Sequence, residues 1–207
     1  MEDDGQEKGL RERKKQEKRE RILAAGRQIF AEKGFDAATT REITRLADVG
    51  GGTLFVYFKD KEDLLFAIFE VEIEAAQELA FSTLPSGGSL VDEWVHIFGA
   101  FYDFYSRDIR LSRAIVKELL FMGGRPDMDQ LNQRFFARMG QLLEVRQARG
   151  ELRQDLDAIF VITNTFAAYF MGLSALVGGY MPREMVDVGL RRLLTLQVEG
   201  LLPQQTS

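Results

Sequence analysis

The 207-residue chain has no cysteine and a single histidine, His96. The first absence excludes a disulfide framework, thiolate metal sites and a cysteine nucleophile. The second excludes a multi-histidine metal centre. A Ser-His-Asp relay would have to run through His96, which stands in an aromatic stretch with no nucleophile motif beside it. Neither a metal nor another cofactor is therefore expected. Proline is scarce, with four in all, which suits a chain of helices because proline breaks helix interiors. The N-terminal residues carry charge and lack the apolar run of a signal peptide, so none is expected. Charge is missing from one long stretch, Ala158 to Pro182, which is long enough to span a bilayer. Thr163, Asn164, Thr165 and Ser174 interrupt it, and Gly172, Gly178 and Gly179 weaken it. A helix buried on two sides inside a protein lacks charge as well. That reading is preferred, with membrane attachment through 158–182 as a rival.

The charge that is present is unevenly placed. Net charge is −5, yet residues 8–45 hold twelve Lys and Arg against six Asp and Glu, whereas residues 64–207 hold thirteen against eighteen. Such asymmetry points to a nucleic-acid-binding end. The run "RERKKQEKRER" also fits a solvated helix laced by its own ion pairs. Next to a DNA-binding head it is expected to help hold DNA, as an extension of the first helix or as an arm in the minor groove.

Residues 1–10 read as disordered. A first helix is expected over about 13–33, with Ile22, Ala25, Ile29 and Phe30 on its apolar face and Gly34 at its C-terminal end. Thr39 and Glu42 have capping-box spacing, so a short helix begins there with Ile43, Leu46 and Ala47 facing inward. Asp60 caps a long helix that ends at Pro85, Gly87 and Gly88. Five more helices are expected over about 89–106, 108–122, 127–149, 154–178 and 183–200. The chain thus reads as all-α, with a small head over 1–65 and a larger helical body over 66–207.

Between the second and third of these helices lies "GGGTLFVYF", residues 50–58. Its β-branched and aromatic residues favour a strand. Folded as a helix, Leu54 and Phe58 share one face that can bury, and Thr53 and Tyr57 share another. So short a helix survives only if packed against its neighbour. Helix, glycine-containing turn and second short helix make a helix-turn-helix, whose second helix enters the DNA major groove. The glycines then allow the tight turn and clear side chains where backbone approaches the duplex. A phosphate-cradling loop is less apt, because neither G-x-x-x-x-G-K-[ST] nor a strand-preceded G-x-G-x-x-G is present.

Residues 21–65 resemble the DNA-binding domain of the tetracycline-repressor (TetR/AcrR) family. The resemblance is carried by Ile22, Leu23, Ala24, Ala25, Phe30, Gly34, Phe35, Thr39, Thr40, Ile43, Ala47, Val49, Gly52, Thr53, Leu54, Tyr57, Phe58, Lys61, Leu64 and Leu65, in order and without gaps. It implies that Thr40 touches phosphate and that Arg41 reaches a base edge or a phosphate. Gly51, Gly52 and Thr53 lie against the groove, Tyr57 contacts the backbone, and Lys61 pairs with a phosphate. Two positions depart from the family. Gly50 stands where a serine is frequent and Phe55 where tyrosine is usual, so two phosphate hydrogen bonds are missing.

The resemblance further implies a body that binds a small ligand and dimerises. Its aromatic density supplies an apolar wall of the kind ligand pockets use, although for any single ring a plain core is the usual explanation. Candidate ligand contacts are Trp94, His96, Phe98, Phe101, Tyr102, Tyr105, Phe121, Phe136, Asn164, Thr165 and Tyr169. Candidate dimer contacts are Gly172, Ser174 and Ala175, small enough for close helix approach, with the stripe Leu190, Leu193, Leu194 and Val198, which could equally face the core. The expectation is a cytoplasmic, homodimeric, non-enzymatic transcriptional regulator. It would be a repressor of a pseudo-palindromic operator in double-stranded DNA, released by a small apolar or aromatic effector and not membrane-bound. The alternative is a helical small-molecule-binding protein or enzyme whose aromatic pocket is its function.

Overall fold

A computed structural model describes residues 3–119 and 126–202, with side chains over 9–117 and 129–202. Among the described residues there are nine helices and no strand. They form two compact units, residues 1–71 and 72–207.

The first unit begins with α1, Asp3–Lys33. Residues 3–10, expected to be disordered, are helical and continuous with the rest. The sequence explains this, since Asp3 to Arg21 contains neither proline nor a β-branched residue and is rich in Glu, Lys, Arg and Gln. Pairs four apart reinforce it, with Arg13 Nε 3.4 Å from Glu17 Oε1 and Gln16 Nε2 donating to Glu20 Oε1 at 2.8 Å. Gly34 ends α1 at φ +81°, a conformation that only glycine adopts at little cost. Helix α2, Thr40–Leu46, starts at the expected capping box: Thr39 accepts from the Glu42 amide while Glu42 accepts from the Thr39 amide. Its inner face is Ile43, Thr44 and Ala47; Leu46, expected inside, is exposed. Thr44 takes the inner place because its hydroxyl donates to the Arg41 carbonyl at 3.2 Å, which lets it bury. Helix α3 is a single turn, Leu54–Tyr57, and α4 runs over Lys61–Ser82. Asp60 caps α4, its Oδ1 accepting from the Asp63 amide at 2.7 Å. Ile22, Phe30, Ile43, Leu54, Phe58, Leu64 and Leu65 form the core of the unit. At Gly26 a Cβ would lie 2.9 Å from Leu64 Cδ2, so α1 and α4 cross where a side chain is missing.

The second unit contains the rest of α4 with α5 (Leu90–Ser106), α6 (Ile109–Leu119), α7 (Pro126–Ala148), α8 (Ala158–Gly178) and α9 (Arg183–Glu199). Helix α8 starts four residues later than expected because Asp157 caps it, accepting from the Phe160 amide at 3.2 Å. By length and composition α8 is the one helix among the described residues that could cross a membrane, and only a third of its most apolar window is buried. Burial on two sides, expected from its lack of charge, is therefore not what the single chain shows. One face packs inward through Val161, Ile162, Thr165, Tyr169, Leu173 and Val177. The other leaves Ile159, Phe160 and Met171 exposed.

Tyr102 fixes the α5–α8 contact. Its hydroxyl donates to the Tyr169 carbonyl at 2.9 Å, and a Cβ at Gly172 would lie 2.3 Å from that oxygen. Gly172, expected at a dimer contact, is thus small for a reason inside its own chain. Gly172→Ala should cost about 1–3 kcal/mol through overpacking, more than the helix propensity it gains. Adding Tyr102→Phe, which removes the clashing atom, should restore part of the loss in thermal melting. Additive losses would show that the two positions do not interact.

Candidate nucleic-acid interface

The head presents α2 and α3 with their polar and glycine residues outward. On α2, Arg41 and Arg45 are exposed and Thr40 is half-buried. After α2 the chain turns at Asp48, whose φ of +52° makes it the only non-glycine residue with positive φ among the described residues. Aspartate tolerates this left-handed conformation better than most side chains. Gly50, Gly51 and Gly52 do not adopt positive φ. The reversal expected of them is made by Asp48, and this corrects the sequence reading. All three are exposed, and a Cβ on Gly51 or Gly52 would meet nothing within 4 Å. Nothing inside the described chain therefore requires glycine at 51 or 52.

Helix α3 answers the strand-or-helix question as a one-turn helix, held by its ends. The Phe58 amide donates to the Leu54 carbonyl at 2.9 Å, and both side chains are buried. Phe58 itself is extended, so burial of that pair does not need a second helical turn. Between these anchors Phe55 is 56% and Val56 73% exposed. Thr53 and Tyr57 are half-buried. Arg45 and Val56 were missed as candidates. The first follows from i, i+4 spacing to Arg41, and the second from its place between two buried anchors.

Lys61 differs from its expected role. Its ammonium donates to the carbonyls of Phe35 at 2.7 Å, Ala38 at 3.2 Å and Asp36 at 3.4 Å, and lies 4.4 Å from the Phe35 ring centroid. Three donors meet three acceptors, so the charge is committed to the α1–α2 connection. A second tie holds the same region. Glu42 pairs with Lys33, which together with the Thr39 hydroxyl holds its carboxyl down at about 2.

In the second unit the aromatic candidates are brought together, as a core. Trp94, Phe98, Phe101, Tyr102, Tyr105, Thr165 and Tyr169 are buried, and Phe136 is half-buried. Phe98 stacks on Tyr169 at 4.6 Å, Phe101 lies 5.5 Å from Phe135, and Phe136 lies 5.5 Å from Phe166. Burial pushes the Tyr105 and Tyr169 phenols up from their ordinary value, so both stay neutral. The Thr165 hydroxyl is used within the fold, donating to the Val161 carbonyl and accepting from Gln197 Nε2 on α9. His96 Nε2 lies 3.0 Å from the Thr83 hydroxyl. Asn164 is apart from the cluster, in an exposed groove with Phe160, Thr163 and Ala167. Phe121 lies outside the described residues. The Trp94 indole N–H is buried without a hydrogen-bond partner among the described residues, an uncompensated donor that costs about 1–3 kcal/mol.

Of the dimer candidates, Leu190 and Leu194 face their own core, whereas Leu193 is exposed. Ser174, Ala175 and Val198 are partly exposed, and the Ser174 hydroxyl donates to the Phe170 carbonyl at 2.8 Å. Exposed apolar side chains on the two helices are Ile159, Phe160 and Met171 on α8 and Met185, Val188 and Leu196 on α9.

This architecture is that of a helix-turn-helix protein with a separate helical body. Residues 22–68 match the family described as bacterial regulatory proteins, tetR family. The HTH-type transcriptional regulator QacR of Staphylococcus aureus is 35% identical over 60 residues, 29% of this chain and 32% of that protein. The fatty acid metabolism regulator protein of Bacillus subtilis is 26% identical over 147 residues, 71% of this chain and 62% of that protein. The chain therefore spans between about a third and three fifths of these curated relatives. Among solved structures, Thermus thermophilus FadR, a TetR-family transcriptional repressor in complex with lauroyl-CoA, superposes with a TM-score of 0.71 at 25% identity. The match covers 91% of this chain and 97% of that one. A TetR-family regulator from Pectobacterium atrosepticum shares the fold with a TM-score of 0.72 at 20% identity.

Three substitutions separate folding from contact in the head. Gly51→Ala and Gly52→Ala should leave thermal stability unchanged or slightly raised, and should weaken DNA binding by about tenfold, ~1.4 kcal/mol, if backbone meets duplex there. Lys61→Met keeps the alkyl stem but strips three carbonyls of their donor. It should lower the stability of the head by about 1–3 kcal/mol in denaturant titration. A purely phosphate-binding lysine would instead leave stability intact and lower affinity alone.

Proposed function

We propose that the protein is a cytoplasmic, sequence-specific transcriptional repressor without catalytic activity, released from its operator by a small effector with a long apolar portion. The observation that carries the DNA-binding reading is the pair of exposed glycines before α3, which no contact within the described chain requires. Beside them stand exposed Arg41 and Arg45, cations for phosphate or base edges, and Val56, an aliphatic surface for a thymine methyl. Thr40, Thr53 and Tyr57 add hydroxyls for phosphate oxygens. Lys61 acts by holding the head together.

A second copy of the chain covers the exposed apolar face of α8 and α9, through Phe160, Met171, Leu193 and Leu196 among others. Two heads in one dimer demand a pseudo-palindromic operator, whose half-sites match their separation. For the effector, an acyl-CoA is favoured by the likeness to the lauroyl-CoA-bound FadR. The aromatic interior is apolar, as an acyl chain requires, but its rings must part to admit one, and the Trp94 N–H, without a partner among the described residues, then offers a donor to the acyl carbonyl.

Selection of bound sequences from a random duplex pool tests the first part. Enrichment of an inverted repeat is expected, and a pool that stays random overturns it. Lauroyl-CoA added to the recovered complex should release the DNA, while coenzyme A without the acyl chain should not. Equal release by both, or by neither, would remove the acyl-chain reading.

A further inference from the structure

The apolar seam of α1 does not stop at the edge of the head. Within the head it consists of Ile22, Ala25 and Ile29, all buried. Stepped back along the same helix by alternating four and three residues, the seam continues through Lys18, Lys15 and Arg11, with Lys14 flanking it. These four residues are exposed and all are cationic. Of the acidic residues in the same stretch, Glu20 lies opposite the stripe, where it accepts from Gln16, while Glu12 and Glu17 lie on its flanks and Glu17 pairs with Arg13. The direction of the cationic stripe is fixed, because α1 is continuous and Ile22 is locked in the core. The stripe leaves the head beside α3. Arg19 lies over the ring of Phe58 at 5.6 Å, and Arg21 NH1 is 3.7 Å from Asp48 Oδ2. Phe58 and Asp48 bracket the turn and helix that carry the glycines and Val56.

We infer that the N-terminal part of α1, residues 9–21, is a second DNA contact that lies along the sugar-phosphate backbone of the duplex flanking the half-site. The inference rests on the DNA-binding reading above. A segment of this length rises about 20 Å, enough to follow several phosphates. A charged stripe on a rigid helix suits phosphates better than base edges, since it has no planar donor set held against a groove floor. The stretch 9–21 has Leu10 as its only large apolar residue, which leaves a lipid surface without an apolar face to bury.

The test compares the whole chain with the triple variant Lys14→Gln, Lys15→Gln, Lys18→Gln, since glutamine keeps helix propensity close to that of lysine. Circular dichroism first confirms equal helix content. Binding to two non-specific duplexes of about 40 bp, one A·T-rich and one G·C-rich, is then measured against salt. With a slope of about 0.9 per neutralised phosphate, the variant should lose roughly 2.7 from the salt slope per protomer, equally on both duplexes. Affinity should fall at least about tenfold, ~1.4 kcal/mol, at low salt. Arg13→Gln, on the opposite side, should change little. An unchanged slope beside normal wild-type binding overturns the inference and leaves the repressor reading standing. A loss confined to the A·T-rich duplex assigns the segment to the minor groove and also overturns it. Absence of wild-type binding to either duplex overturns both.

Discussion

A single ammonium group organises the head. Lys61 is the first residue of α4, directly after the turn that carries α3, and its three hydrogen bonds reach back to the connection between α1 and α2. A cation at a helix N-terminus is unfavourable toward the helix dipole, so this placement needs compensation, and the three carbonyls supply it. The result closes a ring: α1, its connection, α2, the Asp48 turn, α3 and back to α4. Helix α3 could not persist as one turn in isolation. It persists because the elements on either side are tied to each other.

Much of this was legible in the sequence, and the reasons for success and failure are physical. The capping box at Thr39 and Glu42 and the cap at Asp60 were readable because they depend on residues three apart. Leu54 and Phe58 were readable as a buried pair from spacing alone. The role of Lys61 was not, because its partners lie 23 to 26 residues away and are backbone carbonyls, which have no signature in side-chain chemistry. The left-handed residue was misplaced for a related reason. A run of three glycines draws attention away from an aspartate that can make the same turn. Thr44 in place of Leu46 on the inner face of α2 shows a hydroxyl burying once its own helix satisfies it.

The body was legible as helices but not as a site. The aromatic residues proposed to line a pocket are largely each other's packing partners. Sequence periodicity cannot distinguish a ring that faces a ligand from one that faces another ring. Close approach at Gly172 serves the Tyr102 hydroxyl within one chain, where the sequence suggested a neighbour. The outward apolar residues of α8 and α9 carry the opposite lesson. Their exposure is visible only after the inward half of each stripe has been assigned to the core.

The alternation inside α3 has a consequence for how such a head can change. Leu54 and Phe58 anchor the turn, and Phe55 and Val56, between them, make almost no demand on the packing. Fold and surface are therefore specified by different letters of the same four-residue word and its next residue. Mutations at the two exposed letters, Phe55 and Val56, can accumulate with little loss of stability, so new molecular preferences can be explored on an unchanged scaffold. The two buried letters, Leu54 and Phe58, are locked, and drift there would dissolve the turn that displays the others.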